Sequence, residues 1–517
     1  MTMNTEFTLL PEGVDKEAFT RAIQEFRAVL GDDSVLVSPG SLASYSKITL
    51  PVPDEDHQPS GALMPRSVQE VQSILAICNK YRVPVWPVST GKNLGYGSAA
   101  PATPGQMVLD LRRMNRILDV DAELCTALVE PGVTYQQLHD YINDRNLPLW
   151  LSCPAPSAIA SPLGNTVDRG VGYTPYGEHF LFSCGMEVVL ADGQVLKTGM
   201  GSIPNSNTWQ VFKWGYGPYL DGLFTQSNMG VVTKLGLWLM PAPPAFKPFM
   251  VKFPDDADIV KIVETIRPLR IAQVIPNAVV IAHALWEAAS TVVRKDYYTG
   301  DGSISDAAIA QIRREQNLGA WSIYAGLYGM PEQVELNWKI VSQAFAAIGG
   351  EVLTEAEMSD NPVFQYRAAL MRGDMTLQEF GLYNWRGGGG SSWFAPVSQA
   401  RGSETLKQMK MAQNILDEFG FDYVAEFIVG WRDMHHIIDL LFDRTDPAER
   451  DRANACFDKL LTEFTKQGYG TYRTNTAYMK KVAETYGPVK QDVERKIKRA
   501  LDPNGIIAPG KSGIYID

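Results

Sequence analysis

With 517 residues, 45% of them hydrophobic and 20% charged, the chain has a globular composition and enough length for two or more core-bearing domains. A formal net charge of -11, with the basic residues dispersed, excludes a nucleic-acid role that needs a basic face. No apolar stretch approaches the roughly 20 residues that span a bilayer, and MTMNTEFTLLPEG has neither the basic nor the apolar region of a secretory leader. Neither nucleic acid nor membrane is expected as a partner.

Phe19, Ile23, Phe26 and Leu30 recur at helical spacing and predict an amphipathic helix from Gly13 to Leu30. Gly61 to Met64 reads as a strand, and Ser67 as the cap of a helix running to about Tyr81. A β-like run, Val83 to Val88, then leads into PVSTGKNLGYGSAAP, in which Gly91, Gly95 and Gly97 sit among small and polar residues. Such a loop brings bare backbone N–H groups close to a ligand, typically a phosphate or pyrophosphate. It matches neither the P-loop nor the Rossmann fingerprint, and a glycine-rich surface turn is the alternative. Strands follow at Met107 to Leu111 and Thr126 to Val129, and Thr134 caps a helix to about Asp144.

Leu149 to Phe180 is too rich in proline and small residues for a long helix or a central strand, and irregular stretches of that length usually wrap a ligand. Strands resume at Met186 to Leu190 and Gln194 to Thr198, with Asp192-Gly193 as the turn between them. Pro241, Pro243, Pro244 and Pro248 punctuate a domain boundary. Beyond it come longer amphipathic helices, at Ala257 to Leu269, Pro331 to Ile348, Glu404 to Phe419 and Pro447 to Gln467, with strands such as Trp321 to Leu327 and Tyr423 to Val429 between them. A final helix stops at Pro503, and the glycine-rich tail after it has the character of a segment that returns to complete a site.

The five cysteines (Cys78, Cys125, Cys153, Cys184 and Cys456) are scattered without a CxxC, which argues against a disulfide framework or structural zinc. His435 and His436 are adjacent, so their side chains point apart and a shared metal is not expected.

STGKNLGYGSAAP, APSAIASPLGNTVDRGVGYTPYGEHF, GYGPYLDGLFTQSNMG, GLYNWRGGGGSSWFAP, RDMHH and DPNGIIAPGKSG together resemble the p-cresol methylhydroxylase branch of the vanillyl-alcohol oxidase family of FAD enzymes, over essentially the whole chain. The resemblance implies an α+β protein with a two-domain PCMH-type FAD-binding fold. An FAD-binding part at 1–244 would be followed by an α+β substrate-binding cap at 245–467, and a C-terminal segment, 468–517, would return to the FAD part and the active site.

It also implies chemistry on 4-alkylphenols. Tyr96, Tyr472 and Arg473 match the positions that hold the substrate as phenolate, whose charge pushes electrons to the benzylic carbon as hydride leaves for flavin N5. Two other Tyr-Arg pairs, Tyr81-Arg82 and Tyr366-Arg367, are expected in surface or core roles. Water then adds to the quinone methide with a carboxylate as base. The oxidase branch carries an aspartate after the Trp-Leu pair, but here Ser152 follows Trp150-Leu151, and DYVAEFIVG supplies Glu426 instead, across the substrate. That exchange favours hydroxylation.

Tyr383 matches the residue that tethers the flavin as a tyrosyl ether, while Ser391 stands where oxidases carry the tethering histidine. Glu379, Asp433, His436 and Glu178 match polar positions near substrate or flavin. Thr90, Gly91, Lys92, Asn93, Leu94 and Gly95, with Pro156, Ser157, Gly164, Asn165 and Asp168, are the expected FAD-binding residues, and Lys511 is expected to face flavin or phenolate. A cytochrome c subunit as electron acceptor, a homodimer of flavoprotein subunits and a periplasmic setting follow from the resemblance alone. An oxidase that returns electrons to O₂ is the alternative, and a flavin-bearing electron carrier without substrate turnover is a third reading that the tyrosines, Arg473 and Glu426 oppose.

Overall fold

A computed structural model describes residue 7 and residues 9–155 and 158–516. Its first sheet has four strands, β1 (Val35–Leu36), β2 (Gly61–Leu63), β3 (Val85–Val88) and β4 (Met107–Asp110), in the order β1-β2-β4-β3. The joins of β4 to β2 and β3 are parallel. Two helices cover this sheet, α1 (Lys16–Leu30) and α2 (Val68–Tyr81), and they pack against one another. Each starts at a side-chain cap, Asp15 accepting from the Ala18 N–H and Ser67 from the Glu70 N–H. Each buries its periodic apolar face, Phe19, Ile23, Phe26 and Leu30 in one and Val71, Ile74, Leu75 and Cys78 in the other. The glycine loop therefore leaves the carboxyl end of parallel β3, where open α/β sheets take ligands.

The second sheet is antiparallel, with β5 (Ile117–Asp121), β6 (Thr126–Val129), β7 (Ser183–Val189), β8 (Val195–Lys197) and β9 (Val231–Trp238) in the order β5-β6-β9-β7-β8. Between β6 and β7 run α3 (Tyr135–Asp144), started by the Thr134–Gln137 capping box, and the six-residue α4 (Pro162–Val167). Apart from α4 and a two-residue strand, Leu149–Trp150, the described residues of the stretch expected to be irregular are so.

The second half is built on one eight-stranded sheet: β10 (Ala245–Phe253), β11 (Val279–His283), β12 (Trp321–Gly329), β13 (Glu351–Thr354), β14 (Gly390–Phe394), β15 (Val397–Gln399), β16 (Ala425–Val429) and β17 (Asp433–Phe442). The order is β13-β10-β12-β11-β16-β17-β14, with β15 also on β17. On one face, Phe249, Val251, Ile281, Ile323 and Phe427 join the apolar stripes of α5 (Ile259–Ile271), α7 (Pro331–Ala347), α9 (Gly402–Glu418) and α10 (Pro447–Lys466). On the other lie α6 (Ala284–Ala289) and α8 (Pro362–Arg372), over Met250, Val280, Tyr324 and Ile437. Pro248, read from sequence as punctuation, lies within β10 opposite Gly326. It sits just beyond Phe249, the last residue paired to β13, a position that tolerates a missing N–H.

After α12 (Pro488–Leu501; α11 is Met479–Thr485) the tail returns. Ile507 bridges Val85 in parallel, the Ala508 N–H donates to Val85 O at 2.7 Å, and Ile506, Ile507 and Ala508 belong to the core of the first sheet. Lys498 and Asp502, both fully buried, are paired at 2.6 Å, and Lys498 Nζ also donates to Asn228 O and Ile507 O. Among the described residues no helix is long and apolar enough to cross a membrane.

Candidate active site

The loop after β3, α4 with the residues that follow it, and the returning tail enclose a cavity of about 180 Å³. Thr90, Gly91, Lys92 and Asn93 line one wall, Gly164, Asn165 and Asp168 another, and Lys511 closes it. Among the described residues, the backbone N–H groups from Thr90 to Gly95 donate to nothing within the chain. The loop threads a narrow gap. At Gly95 (φ +72°) an added Cβ would stand 2.6 Å from the Trp393 ring, and at Gly97 (φ +108°) it would meet Thr476. Asp168 accepts from Lys511 Nζ at 2.8 Å and from Asn93 Nδ2 at 3.1 Å. Burial opposes its ionisation, but Lys511 and Arg473 hold its carboxyl below the usual range.

A second cavity, of about 90 Å³, shares Lys92, Asn93, Tyr96, Asn165 and Arg473 with the first. The Arg473 guanidinium lies 4.3 Å from the Tyr96 ring centre and donates to Asn93 Oδ1 at 2.8 Å. Burial works against its charge, and Tyr96, Tyr472 and Asp168 more than offset that. Burial pushes the Tyr96 phenol well up, with Tyr472 adding and Arg473 opposing. Tyr96 is thus a proton donor whose hydroxyl has no partner among the described residues. Tyr472 is fixed by the His435 ring stacked on it at 4.3 Å and by Gln226 Nε2 on its carbonyl at 2.8 Å. Two phenols and a guanidinium face one space, an arrangement that holds an oxyanion.

Glu379, Glu426 and Tyr383 line the same cavity. Glu426, 2% exposed on β16, accepts from Arg367 Nη2 of α8 at 2.6 Å. Burial pushes the Glu426 carboxyl up while Arg367 pulls it back. Among the described residues no cation is paired with Glu379: burial, then the charge of Glu426, push it up to about 8 against a partial pull from Arg367. Burial also raises the Tyr383 phenol, with Asp439 and Glu379 adding to the shift. Asp439, pushed up to about 7 by burial, accepts from Ser391 Oγ at 2.7 Å, and Ser391 in turn accepts from Trp393 Nε1 at 3.0 Å. Ser391 therefore bonds within the β14–β17 pair.

Most of the sequence-predicted residues converge on these two cavities, Leu94 included. Asp433 and Glu178 do not. They line an adjoining cavity of about 280 Å³ with Arg270 and His435, separated from the carboxylate pocket by Val171 and Ile428, which line both. Asp433 stands 3.4 Å from His435 Nε2, which holds its carboxyl low. His436 points into the core, bonded to Tyr423 at 2.8 Å and stacked on Phe427 at 4.1 Å; alternation along β17 makes His435 the histidine beside the site. Ser152 Oγ lies 3.1 Å from His179 Nε2 in a separate small cavity. Of the residues after it, Pro154 lines the pocket, whereas Cys153 is buried with its thiol on Gly373 O. Pro156 and Ser157 lie outside the described residues.

Sequence reasoning missed Arg367, Asp439 and Trp393. Arg367 carried a legible signal: helical spacing sets it on the buried face of α8 with Phe364, Leu370 and Met371, where a guanidinium needs a carboxylate partner. Asp439 offered a weaker one, a lone acid inside the apolar run of β17.

Residues 59–199 match the FAD binding domain family, and residues 332–512 the family of FAD linked oxidases, C-terminal domain. The chain is 58% identical over 511 residues, 98% of each chain, to the 4-cresol dehydrogenase [hydroxylating] flavoprotein subunit of Pseudomonas putida. It superposes with a TM-score of 0.97 on a crystal structure of p-cresol methylhydroxylase with substrate bound (58% identity, 98% of this chain and 99% of that one). Against 4-ethylphenol oxidase from Gulosibacter chungangensis the TM-score is 0.96, at 36% identity over 98% and 99% of the chains. The residues present fit FAD: bare N–H groups for a pyrophosphate, Lys511 and Asp168 at the far wall, and a tyrosine, Tyr383, lining the second cavity with the carboxyls. With the fold, the groove and these likenesses in agreement, the chain belongs to the family of FAD flavoprotein subunits that includes 4-cresol dehydrogenase, and it is an FAD-dependent oxidoreductase with the two-domain PCMH-type fold.

Proposed function

We propose that this protein dehydrogenates 4-alkylphenols at the benzylic carbon, hydrates the resulting quinone methide with water, and passes the electrons to a cytochrome c subunit. The observation that carries the reading is one cavity with an oxyanion cradle, Tyr96, Tyr472 and Arg473, and a buried carboxylate pair, Glu379 and Glu426, among its walls. Bound FAD supplies the hydride acceptor. Residues 1–244 and 468–517 form its binding part and residues 245–467 the cap.

The chain's own groups do the rest. Arg473 and the two phenol donors lower the substrate's pKa, so the phenol seats as phenolate and its charge drives hydride departure. Pro154, Val171, Ile428 and Ile437 keep bulk water from the alkyl group. Glu426 takes a proton from the attacking water, whose oxygen bonds to the benzylic carbon as the electron pair returns to the phenol oxygen. Tyr383 is the residue for a covalent flavin bond. A relative named as a flavoprotein subunit of a hydroxylating dehydrogenase supports an electron-accepting second subunit, which we assign to a cytochrome c on a flavoprotein homodimer.

The test is anaerobic bleaching of the flavin by 4-ethylphenol, followed by mixing with air or with oxidised cytochrome c. Bleaching with slow recovery in air and fast recovery with cytochrome is the expected result. Fast recovery in air makes the protein an oxidase, and no bleaching by any alkylphenol overturns both assignments.

A further inference from the structure

With phenolate bound, the pocket of the proposed reaction sets three acids, the phenolate, Glu379 and Glu426, against Arg473, Lys92 on the wall shared with the first cavity, and Arg367 bonded to Glu426 from behind. Arg473 answers the phenolate; Arg367 is left for Glu379 and Glu426. Its guanidinium is 1% exposed, lies 4.9 and 5.6 Å from the ring centres of Tyr366 and Tyr324, and gives its one hydrogen bond to Glu426. Its Nε and Nη1 have no partner among the described residues, and neither has Glu379 Oε2. Lys92 also lines the pocket but is not among the charges that shift the Glu379 carboxyl, and the other groups facing this set do not answer Glu379 with a cation. Tyr173 and Tyr366 are phenols held protonated by burial, Asp439 on β17 is itself an acid, and Glu287 of α6 is bound to Ser322 and Tyr324. A buried carboxylate without a cation keeps its proton.

Resting on the alkylphenol reading, we infer that Arg367 is a positioning residue of the hydration step: its bond to Glu426 keeps that carboxyl ionised as the base and leaves the single proton of the pair on Glu379. The balance is closed. Water loses a proton to Glu426, its oxygen bonds to the benzylic carbon, and the exocyclic electron pair returns through the ring to regenerate phenolate. When Glu426 carries a proton it cannot act, and the quinone methide of 4-ethylphenol takes the other path open to it. A methyl proton passes to a water molecule, the C–H electron pair forms the vinyl double bond, and the exocyclic pair returns through the ring to give 4-vinylphenolate.

The alcohol-to-vinylphenol ratio from one anaerobic turnover of the FAD-loaded protein therefore reads the state of Glu426, whatever fraction of the protein is folded. Arg367→Met lowers that ratio at pH 7 by about tenfold or more, within the range of general-base effects, and moves the pH at which the ratio halves upward. Adding Glu426→Gln lowers it no further than Glu426→Gln alone. Arg367→Lys keeps a buried charge at a greater distance, so the midpoint still rises, by less; this variant decides the matter where Arg367→Met does not fold. The infrared C=O stretch of protonated carboxyls needs no turnover. In the wild type one band at pH 7 disappears in Glu379→Gln, and Arg367→Met gains a second.

An unchanged ratio and midpoint in a folded Arg367 variant, or a multiplicative loss in the double variant, overturns the inference while leaving the function intact. Wild-type protein that gives neither product overturns the alkylphenol reading, and this inference with it.

Discussion

Glu379 makes the stability of this protein fall as pH rises. Its carboxyl is 3% exposed, burial and the neighbouring Glu426 lift it from the usual 4.5 to about 8, and Arg367 offsets only part of that. An unfolded chain releases this proton near 4.5, whereas the folded chain holds it to about 8. Between those values the unfolded state binds fewer protons, so unfolding becomes easier with each pH unit, and the loss levels off above 8. At 1.36 kcal/mol per unit the whole shift amounts to about 5 kcal/mol, of which about 2 kcal/mol falls between pH 6 and pH 8. Glu379→Gln keeps the shape of the side chain and removes the titration. Denaturant midpoints of the FAD-loaded wild type and of Glu379→Gln at pH 6, 7 and 8 measure the difference, in which titrating groups remote from the Glu379–Glu426 pair cancel. Wild type should lose about 2 kcal/mol relative to the variant over that interval. Parallel pH profiles for the two proteins would falsify a protonated Glu379.

Three further outcomes are expected. Arg473→Met removes a charged donor from the phenolate cradle, worth about 1.5–3 kcal/mol, so anaerobic flavin bleaching by 4-ethylphenol slows by roughly 10- to 100-fold; a change under threefold refutes the role of Arg473. Tyr383→Phe leaves the flavin extractable: acid precipitation of a wild-type preparation that carries covalent flavin keeps yellow in the pellet, and of the variant does not. Yellow retained by the variant moves the attachment elsewhere. Lys498→Met leaves Asp502 charged in the core with only the Ile506 and Ile507 N–H groups and no counter-charge, which costs about 3–5 kcal/mol of stability. The denaturant midpoint reads that loss, and a midpoint unmoved by the change contradicts the burial of the pair.

Elements with a periodic stripe were legible in the sequence: Phe19 to Leu30 for α1, though it starts at the Asp15 cap rather than at Gly13, and, with their caps, Ser67 for α2 and Thr134 for α3. β5 was not, because Ile117–Asp121 buries no residue and so shows no apolar alternation. Pro248 misled because its tolerance depends on where a neighbouring strand stops, a fact about β13 rather than about the residues around it. For the site, whole-chain resemblance pointed to Tyr96, Arg473, Tyr383 and Glu426, which tertiary structure brings to one cavity. Resemblance without register could not separate His435 from His436, nor tell that Val171 and Ile428 divide Asp433 and Glu178 from the carboxylates. Arg367 was read as part of a Tyr-Arg pair in a surface or core role; it is buried, but its partner Glu426 lies on the facing strand β16, which the helix sequence does not name.

The bridge from Val85 to Ile507 sets a schedule for biosynthesis. A ribosome adding about 5–20 residues per second needs roughly 20–80 seconds to travel from one to the other. Through that interval the first sheet, though long since emerged, lacks the apolar plug that Ile506, Ile507 and Ala508 supply. A nascent chain paused in the second half therefore offers chaperones an open core, and the wall carrying Lys511 arrives last. The cavity between the glycine loop and the tail is therefore enclosed only once Ile507, Ala508 and Lys511 have been made.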